Sequence, residues 1–579
     1  MKRLQKLIAL LLIFAMCSVM LMACGGGGGD DPVGPVSTTN PSDEKIDTSK
    51  TQLYVFNFYG GYGSDWLVAA KTRYEELHKD DVYEEGKKGI QIYINNQKTG
   101  LDSLMSSIPD NRDEIYFTEY ATYYTLLSEG VLGDITDAVT ADLGAYGDTA
   151  GKTIESKLTP EQKAYFGVET DGGTKYYGLP HYSGYSGLIY NIDLFEENGY
   201  YFRDDVSDVE IVPDDYFIQP RSTERRSAGP DGKYDTSDDG LPTTYEEFFL
   251  LCRYISNDGN TPIVWTGHNY RDYLNNLLQA LVANQEGLDN MMLNYNFSGT
   301  ASDLGTIKDG KFVLDSSATA ITASNAYELK RQAGKFYALE FLNTLATKED
   351  YRFSQSFNSA YSHMNAQEDF LYAGNDGVTK PIAMLCDGIW WESEATPTFN
   401  DMVASKGNSF SKQSRNFGYM PLPKATKEAA ADGKNTLFDH IYSICFMKSN
   451  IEDWKKPIAL DFIKFVHTDE SLVEYTQITN TPKAFNYTMT AEQLAKLSPY
   501  GRSLLELKQR SDVVYPYGSH NTYKNKQGQF VNSALFYSSV NRTEYQWAAE
   551  AMHDSNVSAA DYFNGMYTYY KNYWSTLMN

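Results

Sequence analysis

The sequence predicts an α/β protein built from more than one globular unit. Strand-like and helix-like runs alternate from residue 51 onward, the pattern that produces sheets with parallel strands. The chain has 579 residues, more than a single hydrophobic core serves. Apolar residues make up 42% of it and aromatic residues 14%, enough to fill several cores.

The first segment lies outside that fold. Lys2, Arg3 and Lys6 precede an apolar run from Leu7 to Met22, which is short for a stop-transfer helix and runs into glycine rather than a basic flank. Residues 1–23 therefore read as a secretion signal. Leu21-Met22-Ala23-Cys24 resembles a bacterial lipobox, and the resemblance implies cleavage before Cys24 and a diacylglycerol on its sulfur. The alternative is an ordinary signal peptide with an incidental Cys. Cys17 does not qualify, because Met16 is not small. Residues 24–50 begin with Gly25 to Gly29 and continue with Pro, Ser, Thr and acids, the composition of a flexible tether. No later segment is apolar and long enough to span a bilayer, so the expectation is a chain anchored to a membrane rather than spanning it.

The folded part opens with the strand-like Leu53-Tyr54-Val55-Phe56-Asn57-Phe58, broken by Gly60, Gly61 and Gly63. Ser64 then stands where a helix N-cap is expected, with Trp66, Leu67, Ala70, Tyr74 and Leu77 on one face. Ile90 to Ile94 and Asp113 to Phe117 read as the next strands. Ligands of such sheets bind at the carboxyl ends of strands, which directs attention to Tyr59–Gly63 and to Thr118-Glu119-Tyr120. Far downstream, Trp454, Ile458, Phe462 and Val466 form an apolar helical stripe that reads as core. Residues 200–240 and 285–320 read as loop-rich insertions.

Composition narrows the function. Fifty basic against 76 acidic residues give a formal charge of −26, which disfavours nucleic acid and broad contact with anionic lipid. The five Cys form no CxxC or metal-ligand spacing, so neither a disulfide scaffold nor a zinc site is indicated, and the three outside the leader read as buried thiols. Tyrosine is abundant, 46 residues, and combines a flat apolar face with a hydroxyl, useful in a wet polar site and equally at home in a core.

Several local motifs occur in a telling order. Asp65-Trp66 follows the first glycine turn, and then come Ile115 to Tyr120 and Leu127 to Thr136. Tyr177-Gly178-Leu179-Pro180 leads to Gly187 to Phe195, and Leu241 to Phe248 follows. Ala383-Met384-Leu385-Cys386-Asp387-Gly388-Ile389-Trp390-Trp391, Phe417 to Pro423 and Thr481 to Ala484 complete the series. In this order the chain resembles the extracellular solute-binding proteins of ABC importers, in the branch that includes maltose-binding-like carbohydrate receptors.

The resemblance covers nearly all of residues 51–579. It implies a two-lobed periplasmic-binding-protein-like α/β fold with a ligand cleft between the lobes. The chain would cross near Leu179-Pro180 and near Pro421–Pro423. Lobe one would comprise 51–180 and 426–485, and lobe two 181–425 and 486–579. It further implies capture of a carbohydrate, with an oligosaccharide as the expected class, and its delivery to ABC permease subunits by a monomeric, lipid-anchored, cell-surface protein that needs no cofactor.

A sugar site needs aromatic platforms and placed polar groups. Trp390 is the first candidate, since it stands where the maltose-binding-like relatives present a stacking Trp after Asn-Gly-Pro; here Asp387 and Ile389 replace the Asn and the Pro. Trp391 is its neighbour, and Trp265 sits at the exit of the strand-like Ile263-Val264. Glu119, Tyr120, Tyr62 and Asp65 occupy strand exits in lobe one, although Asp65 could instead cap the first helix. Tyr182 and Tyr185 follow the first crossing.

Asp231, Asp235, Ser237, Asp238 and Asp239 crowd a glycine-rich loop. Oxygen ligands at this density can wrap a structural Ca²⁺, and some polysaccharide-binding relatives carry a calcium loop before a similar helix start. The spacing is not that of an EF-hand, and a solvated, Asp-capped turn is the competing reading.

Enzymatic motifs are incomplete. Gly184-Tyr185-Ser186-Gly187 lacks the second glycine of a nucleophile elbow, because Leu188 takes its place. Gly147 to Thr153 is one residue short of a phosphate loop, and the eight His include no HExxH. The rival readings are a ligand-sensing or adhesion lipoprotein of the same fold, and a secreted glycoside hydrolase, which needs only two carboxylates across a cleft.

Overall fold

The computed structural model describes residues 41–98, 105–119, 122–204, 216–377, 379–441, 443–527, 530 and 547–579. Cys24 and Tyr120 lie outside them. The strands that position the site are, in chain order, β1 (Thr51–Phe58), β2 (Ile90–Gln97), β3 (Ile115–Thr118), β4 (Leu179–Pro180), β5 (Ser186–Asn191), β6 (Thr261–Val264), β7 (Ile382–Gly388), β8 (Phe417–Met420), β9 (Asn435–Phe438), β10 (Ile444–Met447) and β11 (Ser511–Val514). The principal helices are α1 (Asp65–Leu77), α2 (Tyr245–Asn257), α3 (Tyr270–Asn296), α4 (Ala333–Thr347), α5 (His363–Tyr372), the short α6 (Trp391–Glu394), α7 (Lys456–Val466), α8 (Asp469–Thr479) and α9 (Pro499–Gln509).

Two sheets organise the chain. The first has five strands in the order β2-β1-β3-β10-β4, parallel across β2, β1 and β3 and antiparallel where β10 joins. The second has four, β8-β5-β7-β6, with β7 and β6 parallel. In the second sheet Leu188, Ile263, Met384 and Cys386 feed one core, while Ile189, Val264 and Leu385 feed the other. Both faces are thus covered, which explains why these strands read as unbroken apolar runs.

The chain passes between the sheets at residues 181–185, 421–443 and 480–498. These passages lie side by side. Tyr182 bridges Lys483 and Tyr185 bridges Asp439, Ser183 N–H donates to the Pro482 carbonyl at 3.3 Å and His440 N–H to that of Gly184 at 3.0 Å. β9 and β11 form a small parallel sheet beside them.

Local chemistry explains the helix starts. At α2, Thr244 accepts from Glu247 N–H and the Glu247 carboxylate accepts from Thr244 N–H, a capping box that satisfies two end donors. α1 departs from expectation, because Ser64 precedes it without a side-chain capping bond. Leu77, at its end, is 57% exposed rather than on the buried face. Ile458, Phe462 and Val466 of α7 are core, whereas Trp454 lies outside the helix, exposed, donating to Glu452.

Two segments read as irregular are more ordered than that. Residues 285–296 belong to α3, kinked at Gly287 with φ +73°. Residues 42–50 lie along β2: Tyr93 Oη donates to the Ser42 carbonyl at 2.6 Å, and Gln91 Nε2 to Glu44 at 3.0 Å. This segment covers the edge of β2, where unpaired backbone groups would otherwise template association. Cys252, Cys386 and Cys445 are buried free thiols. No helix among the described residues is long and apolar enough to cross a membrane.

Candidate functional site

The carboxyl ends of β1 and β3 in the first sheet face that of β7 in the second. From β7 the chain enters α6 through Ile389 and Trp390. The Trp390 ring is half-buried and reaches the opposite lobe, where it lies edge-on to Tyr62, centroids 6.3 Å apart at 73°. Beneath it is Gly61. A Cβ at that position would fall 2.6 Å from the Trp390 Cβ and ring, so only glycine admits the contact. On its other side is His440, at 6.0 Å. Burial holds the His440 imidazole down at about 4, so it is neutral at pH 7, and its Nε2 lies 2.7 Å from Ser186 Oγ.

Carboxyl groups stand at the same strand ends and in α6. Glu119, at the end of β3, is 4% exposed, and its carboxyl has no hydrogen-bond partner among the described residues. Burial, reinforced by Glu394 of the opposite lobe, pushes it up to about 8. Asp387, at the end of β7, is raised by burial and by the same Glu394. Gln367 Nε2 donates to Asp387 and to Glu394, at 3.0 Å each, and ties the two together. Glu392 accepts from Ser498 Oγ at 2.8 Å, and burial lifts it to about 7 against the pull of Lys412. Sequence reasoning missed Asp387, Glu392, Glu394, Gln367 and His440. The three acids flank the Trp pair and could have been found there, whereas Gln367 and His440 arrive from distant segments.

The remaining candidates divide between core, crossing, site floor and the first turn of α1. Trp391 is 0% exposed, its ring edge-on to Phe417 and Tyr500, so it is a core residue and offers no platform. Trp265 is also 0% exposed, because residues 353–361 cover it: its backbone N–H donates to Ser356 Oγ at 3.3 Å and Phe357 lies edge-on to its ring at 5.5 Å. Tyr62 donates its hydroxyl to the Ser183 carbonyl at 2.7 Å and lays its ring 4.2 Å from that of Tyr182, so it shapes the floor of the site. Tyr182 and Tyr185 are buried in the crossing, and Tyr182 keeps a hydroxyl without a partner. Asp65 is exposed in the first turn of α1 and is attracted by Lys412 of the other lobe.

The acidic loop is satisfied internally. Arg510 Nη1 lies 2.6 Å from Asp231 and 2.7 Å from Asp238, the position a cation would take between them. Asp239 accepts from Asp235 N–H and Thr236 N–H. Asp235, with φ +62°, and Ser237 complete the turn. Arg510 thus takes up Asp231 and Asp238, and no group of three or more His, Cys, Asp or Glu among the described residues is arranged to hold a metal.

Comparison with protein-family models finds no match, and neither does comparison with curated proteins. Solved structures do match. A chitin oligosaccharide binding protein superimposes with TM-score 0.54 at 14% identity, over 91% of this chain and 100% of that one. The GacH receptor of Streptomyces glaucescens GLA.O does so with TM-score 0.51 at 11% identity, over 91% of this chain and 99% of that one. With two sheets, crossing segments and strand ends that face each other, the chain has the two-lobed fold of these binding proteins.

Proposed function

We propose that this protein is the substrate-capturing component of an ABC importer, closing its two lobes over a carbohydrate without altering it. The observation that carries the reading is the Trp390 ring, presented from one lobe onto the Gly61–Tyr62 floor of the other, with Glu119 and Asp387 at the ends of β3 and β7. A sugar ring has an apolar C–H face and a polar rim, and this arrangement meets both. The two similar structures described above bind a chitin oligosaccharide and acarbose, which supports an oligosaccharide as the class.

Ligand that touches both lobes favours the closed state by its difference in affinity between open and closed forms. The loaded form then docks on permease subunits. Cys24 carries the lipid that keeps the protein on the outer face of the cytoplasmic membrane. A glycoside hydrolase would use the same carboxylates as acid and nucleophile.

One experiment separates the readings: titrate residues 25–579 with an oligosaccharide panel, follow Trp fluorescence, and chromatograph the mixtures afterwards. A saturable change with intact sugar is the expected result. Cleaved sugar would make it a hydrolase, and no response to any sugar would refute carbohydrate capture.

A further inference from the structure

Of the acids at these strand ends, Glu119 has no base acting on it. Glu119 is faced by Glu394, Tyr62 and Tyr475. Lys412 acts on Glu392 and Asp65 and donates to Thr396 Oγ1. His363 Nε2 stands 3.9 Å from Glu394. The buried amines near the crossings are committed elsewhere. Lys483 Nζ is 2.7 Å from His181 Nδ1 and 4.3 Å from the centroids of both Trp66 and Tyr475, and Lys508 Nζ donates to the Lys483 carbonyl at 3.2 Å. Glu119 is therefore a nearly sealed carboxyl with neither a counter-ion nor a hydrogen bond among the described residues. Two acceptors of the opposite lobe, Gln367 Oε1 and Glu392 Oε1, are buried without a hydrogen-bond partner among the described residues.

Unpaired acceptors and a raised carboxyl of this kind are satisfied by a ligand that brings N–H donors and positive charge. A metal ion is a poor fit, because no three of these acids are placed to share one. An organic ammonium on a sugar ring fits better. It can donate to carboxyls spread over both lobes while the ring's apolar face lies on Trp390.

We propose that the cleft selects a cationic carbohydrate, a sugar whose ring carries a free amino group in its ammonium form. This rests on the carbohydrate reading above and adds charge to it. Raised by burial to about 8, Glu119 holds a proton at pH 6, where the sugar amine is an ammonium. An arriving ammonium displaces that proton to solvent and pairs with the carboxylate left behind, so binding releases a proton, which a neutral sugar does not bring about.

The test uses three pentamers of one linkage that differ only at C2: chitosan pentaose, chitin pentaose and cellopentaose. Affinity is measured calorimetrically at pH 6, where the C2 amine is an ammonium and Glu119 is protonated, in two buffers of different ionisation enthalpy. Chitosan pentaose is expected to bind about 10- to 100-fold more tightly than cellopentaose. Its apparent enthalpy should vary with the buffer, and Glu119→Gln should abolish both the variation and the preference. Equal or tighter binding of either uncharged pentamer would overturn the charge preference and leave carbohydrate capture standing. Silence with all three, in a protein that responds to no other sugar of the panel, would overturn both.

Discussion

Trp390 and Trp265 both follow a parallel strand of the second sheet, and only Trp390 keeps part of its surface exposed. β7 is an interior strand whose exit faces the opposite lobe, and Trp390 reaches across to Gly61. β6 is the edge strand, and residues 353–361 close over its exit: Phe353 N–H donates to the Ile263 carbonyl at 2.8 Å and His268 N–H to that of Tyr361 at the same distance. The approach there is so close that a Cβ on Gly267 would stand 2.3 Å from the Asn358 carbonyl. The end of a strand thus marks where a site can form, and the covering segment decides whether it does.

This contrast can be broken by substitution. Trp265→Ala is expected to cost about 3–5 kcal/mol of stability, the range for a large buried aromatic. Chemical denaturation measures it, and a loss below 1 kcal/mol would mean that the site is not core. Charge offers a parallel case of a group held rather than available. Arg510→Met strands Asp231 and Asp238, which are almost fully buried, and should destabilise by about 1–3 kcal/mol, discounted because Arg510 is 24% exposed. If Arg510 holds that loop, chelation with EDTA leaves the wild-type melting temperature unchanged; a fall on chelation would restore calcium to the loop.

Trp390→Ala should do the reverse of Trp265→Ala. Affinity for the captured sugar should weaken by about 1–3 kcal/mol, read by calorimetry, with little change in melting. The smallest expected effect concerns pH. The carboxyl of Glu119 is raised above its ordinary value, so the stability it contributes is present at acid pH and is lost as pH rises through about 8. Melting curves from pH 5 to 9 should therefore fall less steeply for Glu119→Gln than for the wild type, and parallel curves would show that Glu119 does not titrate in that window.

The α/β class was legible because β1, α1, β2 and β3 follow one another with strong periodicity and glycine at the turns. The two-lobed form came from the order of motifs, in which Leu179-Pro180 and Phe417 to Pro423 mark the crossings. Trp390 could be picked out by its setting after Asp387-Gly388. Trp391 could not be judged, since the direction of its ring depends on α6 beginning there and on Tyr500, more than a hundred residues away. Trp265 failed for a similar reason: Ser356 and Phe357, which bury it, lie about ninety residues downstream. The acidic loop looked like a cation site because nothing local announces Arg510. Burial and pairing are non-local quantities, and local patterns carry them only where the covering residues are near in sequence.

The three buried thiols have a practical consequence. Cys445 is on β10 in the first sheet, Cys386 on β7 in the second, and Cys252 on α2 behind it. Burial lifts all three well above the ordinary thiol range, so in the folded protein they are un-ionised as well as inaccessible. Each becomes reactive only when its own layer comes apart. In residues 25–579 they are the only cysteines, and the chain thus carries a native set of unfolding reporters: a mass spectrometer counting alkylated peptides over time reads out, lobe by lobe, which half of the molecule lets go first.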